Sequence, residues 1–263
     1  MKTVGTVESL WRYPVKSMRG QQLESAFAGF SGIYGDRIYA IHDDGAPAGF
    51  PYLTGREREH MLLFQPQFRN ADRAMKPENQ SEAEALAPGV TPVYPSLDDL
   101  TVDVQTPDGN SIPIDDPALL HLLSEGLRER HHLRLMRSER ALTDCRPLSL
   151  FSLQTVERLG DELGTSLDKR RFRANLYLNL GSSEGFTEDQ FVGHTLSIGE
   201  KVMVAIVDRD PRCKMITLDP NTAEPNPEVM KRVAREHDGK AGIYAAVLVE
   251  GTIRPGDEVR LVN

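Results

Sequence analysis

The chain has 263 residues, enough for one large or two small domains with a buried core. It contains 39% apolar and 27% charged residues, as is usual in a soluble globular protein. A formal net charge of -8 excludes a broad surface for nucleic acid or an anionic membrane, because phosphate binding needs a cationic face. The amino terminus lacks the apolar core of a signal peptide, and no apolar run could span a bilayer. Two cysteines are too few for a disulfide framework or an iron–sulfur cluster, so we expect a cytoplasmic protein.

The first half of the chain alternates short β-type runs with turns. Strands are predicted at residues 3–13, 37–42, 61–64, 100–106 and 111–114, with turns at 43–45 and 107–110. Residues 69–95 have little apolar pattern and are interpreted as a surface excursion. A helix is predicted from Asp116-Pro117 through Arg130, because leucines form an apolar stripe. These elements indicate an antiparallel β unit, with a domain junction near residues 115–140.

The second half is also rich in β-type patterns. A strand is predicted at 148–152, followed by a helix that Ser152 caps and Gly164 ends. Further strands are predicted at 176–180, 194–198, 201–207, 245–250 and 258–262, and a short helix at 228–236. The simplest architecture is a β-rich barrel with a few helices. The patterns do not determine the order of the strands.

Cys213 is the most informative residue of the sequence, because it lies between the cations Arg212 and Lys214. Adjacent positive charge favours the thiolate, which is the form that attacks electrophiles and ligates soft metals. The alternative is a small buried apolar residue with solvated neighbours. The other cysteine, Cys145, also lies beside an arginine, and we interpret it as structural.

Three polar clusters accompany this cysteine. Residues 13–20 end a predicted strand with cations, a hydroxyl and loop amides, a combination that can hold a phosphate. Residues 35–37 and 170–175 add arginines, which grip oxyanions through two parallel hydrogen bonds. Each cluster by itself is equally compatible with a solvated turn or surface salt bridges.

Six short motifs occur in order along nearly the whole chain. They are YPVKS at 13–17, GDR at 35–37, Asp144 with Pro147, Phe172-Arg173 with Asn175, Arg212-Cys213 with Thr217 and Asp219-Pro220, and GTIRPGD at 251–257. In this combination the chain resembles the MOSC family, named after the carboxy-terminal domain of molybdenum cofactor sulfurases. The resemblance implies a mainly β fold with some helices (α+β), in which a MOSC β-barrel follows a smaller antiparallel β-barrel domain. We expect the MOSC amino-terminal domain at residues 1–118 and the MOSC domain at residues 119–263.

The resemblance further implies a molybdenum cofactor, in which molybdopterin carries the metal. Cys213 matches the cysteine that ligates molybdenum in the family and is the expected catalytic residue. The positions that match the family's cofactor contacts are Lys16, Ser17, Arg37, Arg173, Asn175 and Arg212. Thr217 is a further expected cofactor contact. Soft molybdenum favours a thiolate, and a phosphate tail favours lysine and arginine, so the chemistry of these residues agrees with the resemblance.

The chain departs from the amidoxime-reducing members of the family just before the cysteine. Pro211 lacks the backbone N–H that a serine residue would offer there. One cofactor hydrogen bond of the relatives is therefore either missing here or supplied by Thr217 or a water molecule. Some bacterial relatives also carry an iron–sulfur domain, for which this chain has too few cysteines, and nothing in it resembles a pyridoxal phosphate domain.

These inferences favour a molybdenum oxidoreductase that reduces small N-hydroxylated (N–O) compounds. Its electrons would come from a separate protein of the ferredoxin or flavin reductase type, and neither nucleic acid nor membrane is an expected partner. The alternative is a non-redox module in which Cys213 carries a persulfide or the domain only binds cofactor. A binding-only β-barrel is the least favoured interpretation.

Overall fold

The computed structural model describes residues 1–86, 97–127, 131–139 and 141–262. Within them the chain forms 17 β-strands, four α-helices and five short 3-10 helices. The α-helices are α1 (Gln80–Ala85), α2 (Pro117–Ser124), α3 (Leu153–Leu163) and α4 (Pro227–Glu236). The 3-10 helices are Glu59–Leu63, Leu97–Leu100, Lys169–Phe172, Thr187–Phe191 and Lys214–Thr217. The strands are β1 (Lys2–Arg12), β2 (Gln21–Leu23), β3 (Ala26–Gly29), β4 (Gly32–Ile33), β5 (Tyr39–Asp43), β6 (Tyr52–Leu53), β7 (Gln65–Phe68), β8 (Val102–Gln105), β9 (Ser111–Pro113), β10 (Leu133–Arg137), β11 (Leu148–Ser152), β12 (Leu176–Leu180), β13 (Thr195–Ile198), β14 (Val202–Pro211), β15 (Lys240–Val249), β16 (Gly251–Ile253) and β17 (Glu258–Val262).

Seven strands close into a barrel in the order β12-β11-β15-β14-β13-β17-β1, with β2 added beside β1. Strand β1 closes the barrel because it pairs with β17 along one edge and with β12 along the other. All neighbours in the barrel are antiparallel except β11 and β12. Alternate side chains point inward, so Leu10, Leu150, Val204 and Ile243 are fully buried in its core.

Three small antiparallel sheets, β10-β5-β6, β7-β8-β9 and β16-β3-β4, lie beside the barrel. The first two enclose a second core that includes Ile41, Met61, Val102 and Leu119. The two halves of the sequence are interleaved in space. Strand β1 from the amino terminus completes the large barrel, whereas β10 pairs with β5. The predicted division at residue 118 therefore stays a sequence-based prediction.

The expectation of a mainly β fold with some helices is confirmed, and the predicted strands of the second half are all present. Strands β14 and β15 are longer than expected, at ten residues each. The strand predicted at 61–64 is wrong, because residues Glu59–Leu63 form a 3-10 helix. Its consecutive apolar residues serve two cores: Met61 packs in the second core and Leu62 in a small cluster with Leu218. The predicted excursion at 69–95 contains helix α1, and its residues 87–95 lie outside the described part of the chain. The helix predicted from residue 116 ends at Ser124. Residues 128–130, which the prediction included, lie outside the described part of the chain.

Helices α3 and α4 pack together on the outside of the barrel. The Ser152 hydroxyl caps α3 by accepting from the Thr155 amide, and Gly164 ends the helix in a left-handed conformation with φ of 66°. Both features were predicted. The apolar faces of α3 and α4 meet Phe151 and Phe172, whose rings stack 4.1 Å apart. This packing fixes the 3-10 helix Lys169–Phe172 against the barrel.

Candidate functional site

The segment 13–17 and the segment 35–37 form one structural unit. The Arg37 amide donates to the Tyr13 carbonyl at 2.7 Å, and the Lys16 amide donates to the Tyr39 carbonyl at 2.8 Å. The Asp36 carboxylate accepts from the Tyr13 amide at 2.7 Å and pairs with the Arg37 guanidinium. These bonds explain why cations that are distant in sequence, Lys16 and Arg37, lie side by side.

Three of the predicted cofactor residues have a left-handed backbone, which is uncommon for residues other than glycine. Their φ angles are 66° for Ser17, 47° for Arg37 and 52° for Arg173. Each such conformation costs on the order of 1–3 kcal/mol and persists only where its surroundings impose it. Of the six non-glycine residues with positive φ in the described chain, these three converge on one place. Strain concentrated in this way indicates a functional site.

Arg173 lies at the centre of the arrangement. Its carbonyl accepts from Arg37 Nη2 at 3.0 Å, and its guanidinium lies over the Tyr13 ring, 4.3 Å from the centroid. Burial, together with the nearby Arg37 charge, lowers the pKa of Arg173 to about 10, while Tyr13 acts in the opposite direction. Nη2 of Arg173 has no hydrogen-bond partner among the described residues. The site therefore holds a cation whose charge is incompletely compensated.

Asn175 ties this region to the barrel. Its side-chain Oδ1 accepts from the Ser149 amide at 3.2 Å, and its Nδ2 donates to the Trp11 carbonyl at 3.3 Å. Its backbone amide donates to the Ser149 carbonyl at 2.8 Å. The residue is 1% exposed, so it holds β1, β11 and the start of β12 in register at the cavity wall.

Cys213 follows the end of β14 and directly precedes the 3-10 helix Lys214–Thr217. Arg212 points inward: Nε donates to the Ala241 carbonyl at 2.6 Å and Nη1 donates to the Phe172 carbonyl at 3.0 Å. The guanidinium passes Gly242, where an added Cβ would lie 3.0 Å from Nη2 of Arg212 and 2.5 Å from the Phe151 ring. Cys213, by contrast, is partly exposed.

A buried carboxylate lies behind the cysteine. Asp210 is 2% exposed and accepts from the Ser149 hydroxyl at 3.0 Å. Its Oδ2 lies 2.9 Å from Nη2 of Arg212. Burial raises the pKa of Asp210, and Arg212 and Tyr244 partly offset this effect. Burial and the Asp210 charge also raise the pKa of Tyr244. The end of strand β14 and the residues that follow it thus contribute a polar cluster as well as the thiol.

Arg56, which the sequence did not single out, reaches the cysteine from the other half of the chain. Burial opposes its charge, but contact with the Cys213 sulfur and the nearby Asp144 carboxylate raises the pKa of Arg56 above its usual value. Arg56 Nη2 donates to Asp144 Oδ2 at 3.0 Å, and Lys16 Nζ donates to the other oxygen of Asp144 and to the Leu142 carbonyl. Asp144 therefore links two cations beside the thiol.

A cavity of about 100 Å³ brings most of the predicted residues together. It borders a larger cleft of about 660 Å³, with which it shares Arg171, Arg173 and Met215. Thr217 does not line either space, because its hydroxyl donates to the Lys214 carbonyl at 2.7 Å within the 3-10 helix. The predicted residues that line the cavity are Lys16, Ser17, Arg37, Arg173, Asn175, Arg212 and Cys213.

Comparison with protein families assigns a domain type to each half of the chain. A model described as "MOSC N-terminal beta barrel domain" matches residues 4–116, and a model described as "MOSC domain" matches residues 137–260. The chain belongs to the MOSC family. As a family, MOSC domains are associated with binding of the molybdenum cofactor. The matched ranges contain every predicted site residue of this MOSC protein.

Individual relatives are distant. Bovine (Bos taurus) mitochondrial amidoxime reducing component 2 is 24% identical over 293 aligned positions, covering 98% of this chain and 84% of the relative. The YUAD protein of Bacillus subtilis has a TM-score of 0.47 at 12% identity, covering 97% of this chain and 94% of the other. YiiM from Geobacillus stearothermophilus has a TM-score of 0.36 at 23% identity, covering 45% of this chain and 55% of the other. No helix in the described part of the MOSC protein is both long and apolar enough to cross a membrane.

The side chains of the cavity fit a molybdenum cofactor chemically. Cys213 offers a thiol, the ligand type that soft metals prefer. The buried Nη2 atom of Arg173 has no hydrogen-bond partner among the described residues, so it can donate to an anionic group, whereas Nη2 of Arg212 lies beside the Asp210 carboxylate. Lys16 and Arg37 add charge at the same wall. The donor set is therefore suited to a ligand that combines a metal with a phosphate.

Sequence reasoning missed Arg56 and Tyr244 and did not assign Asp210 a place in the site. One signal near Arg56 was readable: Thr54 and Glu57 have the spacing of a capping turn, and the Thr54 hydroxyl does donate to Glu57 Oε2 at 2.8 Å. That spacing predicts a turn but not the direction in which Arg56 points. Tyr244 lies within a regular strand, where only the pairing of β14 with β15 brings it near Asp210.

We expect Asp144→Asn to lower the free energy of unfolding at neutral pH by about 1–2 kcal/mol, because Lys16 is 4% exposed and loses its carboxylate partner. Burial opposes ionisation of Asp144, but Lys16, Arg56 and Arg37 outweigh it and lower its pKa below the usual 3.8. Its contribution is therefore fully present above about pH 4 and declines as the pH falls toward the folded-state pKa. Urea unfolding of both proteins between pH 3 and 7 measures this difference. A gap that stayed constant or widened on acidification would contradict the assignment.

Proposed function

We propose that the chain is a molybdenum-cofactor-binding oxidoreductase that reduces small N-hydroxylated compounds with electrons from a separate protein. The observation that carries the proposal is that Cys213 and Arg56 line one cavity, together with further cations from both halves of the chain. The family's association with the cofactor and the amidoxime-reducing relative support the reaction class.

Each residue of the cavity would have a limited task. Cys213 would ligate molybdenum through its sulfur. Lys16, Arg37 and Arg173 would hold the anionic and polar groups of the pterin, with Asn175 keeping the wall in place. The strained loops at these positions would be already formed before binding, so the cofactor would meet oriented donors.

The chemistry that the cofactor supplies when bound is a two-electron oxygen-atom abstraction, which the protein itself does not provide. Reduction of an N–OH group to N–H consumes two electrons and two protons and releases one water molecule. The chain's part is to bind, orient and shield. The hydrogen-bonded side chains of Arg56 and Asp144 line the cavity with Cys213. Asp210 and Tyr244 add polar groups to the wall of the same cavity.

Electrons would come from outside the chain. A ferredoxin or a flavin reductase is the expected type of donor, and a low-potential chemical reductant can replace it in a test. The protein purified from a host that makes the cofactor should convert benzamidoxime to benzamidine with reduced methyl viologen. The same protein from a host unable to make the cofactor is the matched control.

The alternative, a persulfide carrier, gives a different outcome. Protein that lacks molybdenum despite a verified cofactor supply, and whose Cys213 is 32 Da heavier in peptide mass spectrometry, would support sulfur transfer in place of reduction. Protein that binds molybdenum but reduces no N–O compound would contradict the proposed reaction while leaving the cofactor site in place.

A further inference from the structure

The cleft next to the Cys213 cavity is much larger than the cavity itself, at about 660 Å³. It runs between strands β1, β2 and β7 on one side and the 3-10 helix Lys169–Phe172 on the other. Arg171, Arg173 and Met215 line both spaces, so the cleft adjoins the cavity at these three residues. Apart from Arg173, none of the predicted cofactor residues lines this cleft. It is therefore a candidate for a second ligand.

The charge of the cleft is opposite to that of the whole protein. Five arginines and no aspartate or glutamate line it, although the chain as a whole carries a net charge of -8. Positive charge concentrated in a concave site raises the local concentration of anions. The arginines are Arg12, Arg19, Arg170, Arg171 and Arg173.

Two of these guanidinium groups are compensated by the protein. Arg170 pairs with Asp168, and Arg171 donates to Asp219 Oδ2 at 2.8 Å. Ion pairs at the edge of a cleft restrain the side chains and leave other N–H groups for a ligand.

The other three guanidinium groups lie within 4 Å of no carboxylate among the described residues. Arg12 donates to the Tyr34 and Ala74 carbonyls and to Gln21, all of them neutral. Burial lowers the pKa of Arg12 to about 10, with the more distant Asp36 acting against the change. Arg173 is described above. A bound anion would supply the missing negative charge for all three.

Arg19 is the clearest of the three. The only hydrogen bond recorded for its guanidinium among the described residues is a long one, from Nη2 to the Pro220 carbonyl at 3.4 Å, and its buried Nε has no partner. Burial and the neighbouring Arg170 charge lower the pKa of Arg19. Because Arg170 is paired with Asp168, the uncompensated charge of this pair is that of Arg19, and an anion placed beside the two guanidinium groups would neutralise it.

The remaining lining residues are suited to an organic body. Side-chain amides of Gln65 and Gln67 can both donate and accept hydrogen bonds, and Trp11 and Met75 add apolar surface. A bare inorganic anion would not use this surface.

We propose that the cleft binds the acidic group of an organic substrate, so that the natural N–O substrate of this chain is a carboxylate or phosphate compound. Arg19 and Arg170 hold the acid, while the N–O group faces the Cys213 cavity. This inference rests on the proposed function for the reacting end of the ligand, but the anion site itself is testable without activity. The same guanidinium groups could hold the phosphate of the cofactor, and the test separates the two sources.

The first measurement is the binding of 4-carboxybenzamidoxime and of uncharged benzamidoxime to the cofactor-loaded protein by isothermal titration calorimetry at one fixed ionic strength. Arg19→Gln and Arg170→Gln should each raise the dissociation constant of the charged compound by about tenfold or more, because each removes a charge-assisted hydrogen bond. Arg19→Lys keeps the charge and should restore part of the affinity. Arg158→Gln, at an exposed site that pairs with Glu162, is the matched control. Thermal unfolding identifies any variant whose fold is damaged.

Kinetics and cofactor content provide the other two measurements. The charged compound should have the higher kcat/KM in the parent protein, and this preference should disappear in Arg19→Gln with molybdenum and pterin content unchanged. Equal affinity for both compounds, or binding that neither substitution alters, would overturn the proposal. Loss of pterin from Arg19→Gln would also overturn it, because the arginine would then serve the cofactor phosphate. A cofactor-loaded protein that binds the charged compound through Arg19 but reduces neither amidoxime would contradict the proposed function and would still support the anion site.

Discussion

Replacing Cys213 with serine is expected to reduce the molybdenum content of the purified protein by at least about tenfold, from close to one atom per chain. A serine hydroxyl stays protonated at neutral pH and is a poor ligand for a soft metal, whereas a cysteine sulfur is the type of ligand that such a metal prefers. Reduction of benzamidoxime should fall in proportion to the lost metal. Inductively coupled plasma mass spectrometry of protein from a cofactor-competent host measures the ratio of metal to protein.

The other cysteine is the matched control for this prediction. Cys145 is exposed and does not line the cavity, so Cys145→Ser should leave the molybdenum content unchanged. The pterin should be measured in the same samples through its fluorescent oxidation product. A Cys213→Ser protein that keeps its molybdenum and its activity would show that the thiol is not the ligand. Equal losses in both variants would point to general oxidation or misfolding of the preparation.

The second large effect is expected on stability. Arg37→Gln should lower the free energy of unfolding by about 3–5 kcal/mol, because it leaves the fully buried Asp36 carboxylate without its ionic partner. Burial alone would lower the pKa of Arg37, but Asp36, together with Tyr13 and Asp144, raises it above its usual value. The substitution also removes the bond from Arg37 Nη2 to the Arg173 carbonyl, so cofactor content should fall as well. Chemical denaturation of the cofactor-free proteins isolates the first effect.

A surface pair of the same chemical type is the control. Arg69 donates twice to Asp103 but is largely exposed, and Arg69→Gln should change stability by less than about 1 kcal/mol. The double variant Asp36→Asn with Arg37→Gln should be more stable than Arg37→Gln alone, because the unpaired charge is gone. If Arg37→Gln and Arg69→Gln cost the same, the buried pair does not stabilise the loop as described.

The elements that the sequence predicted well are those with a clear period and a clear end. Helix α3 is an example, since Ser152 and Gly164 mark its two ends by local hydrogen bonding and backbone preference. The failure at residues 61–64 has the opposite cause. A run of four apolar side chains has no period of its own, and its conformation depended on two separate cores that compete for it.

In the candidate site, too, some residues could be predicted from local sequence and others could not. The chemistry of Cys213, Lys16, Arg37 and Arg173 was readable, because thiols and cations suit a soft metal and an anion wherever they lie. Arg56 was not readable, because a lone arginine after a turn carries no pattern. Arg56 becomes part of the candidate site only because the fold brings its loop next to Cys213 and Asp144.

By itself, the sequence determined the β-rich class, helix α3 with both of its caps, the residue types at the site and, through six motifs, the family. Only the tertiary structure decided that β1 closes the barrel, that the strained loops at Ser17, Arg37 and Arg173 meet, and that the Thr217 hydroxyl donates to the Lys214 carbonyl. Strand pairing and charge compensation depend on partners far apart in the chain, and local preference contains no information on which partners will meet. For the same reason, the arginines without carboxylates in the cleft became recognisable only when the fold had placed their neighbours.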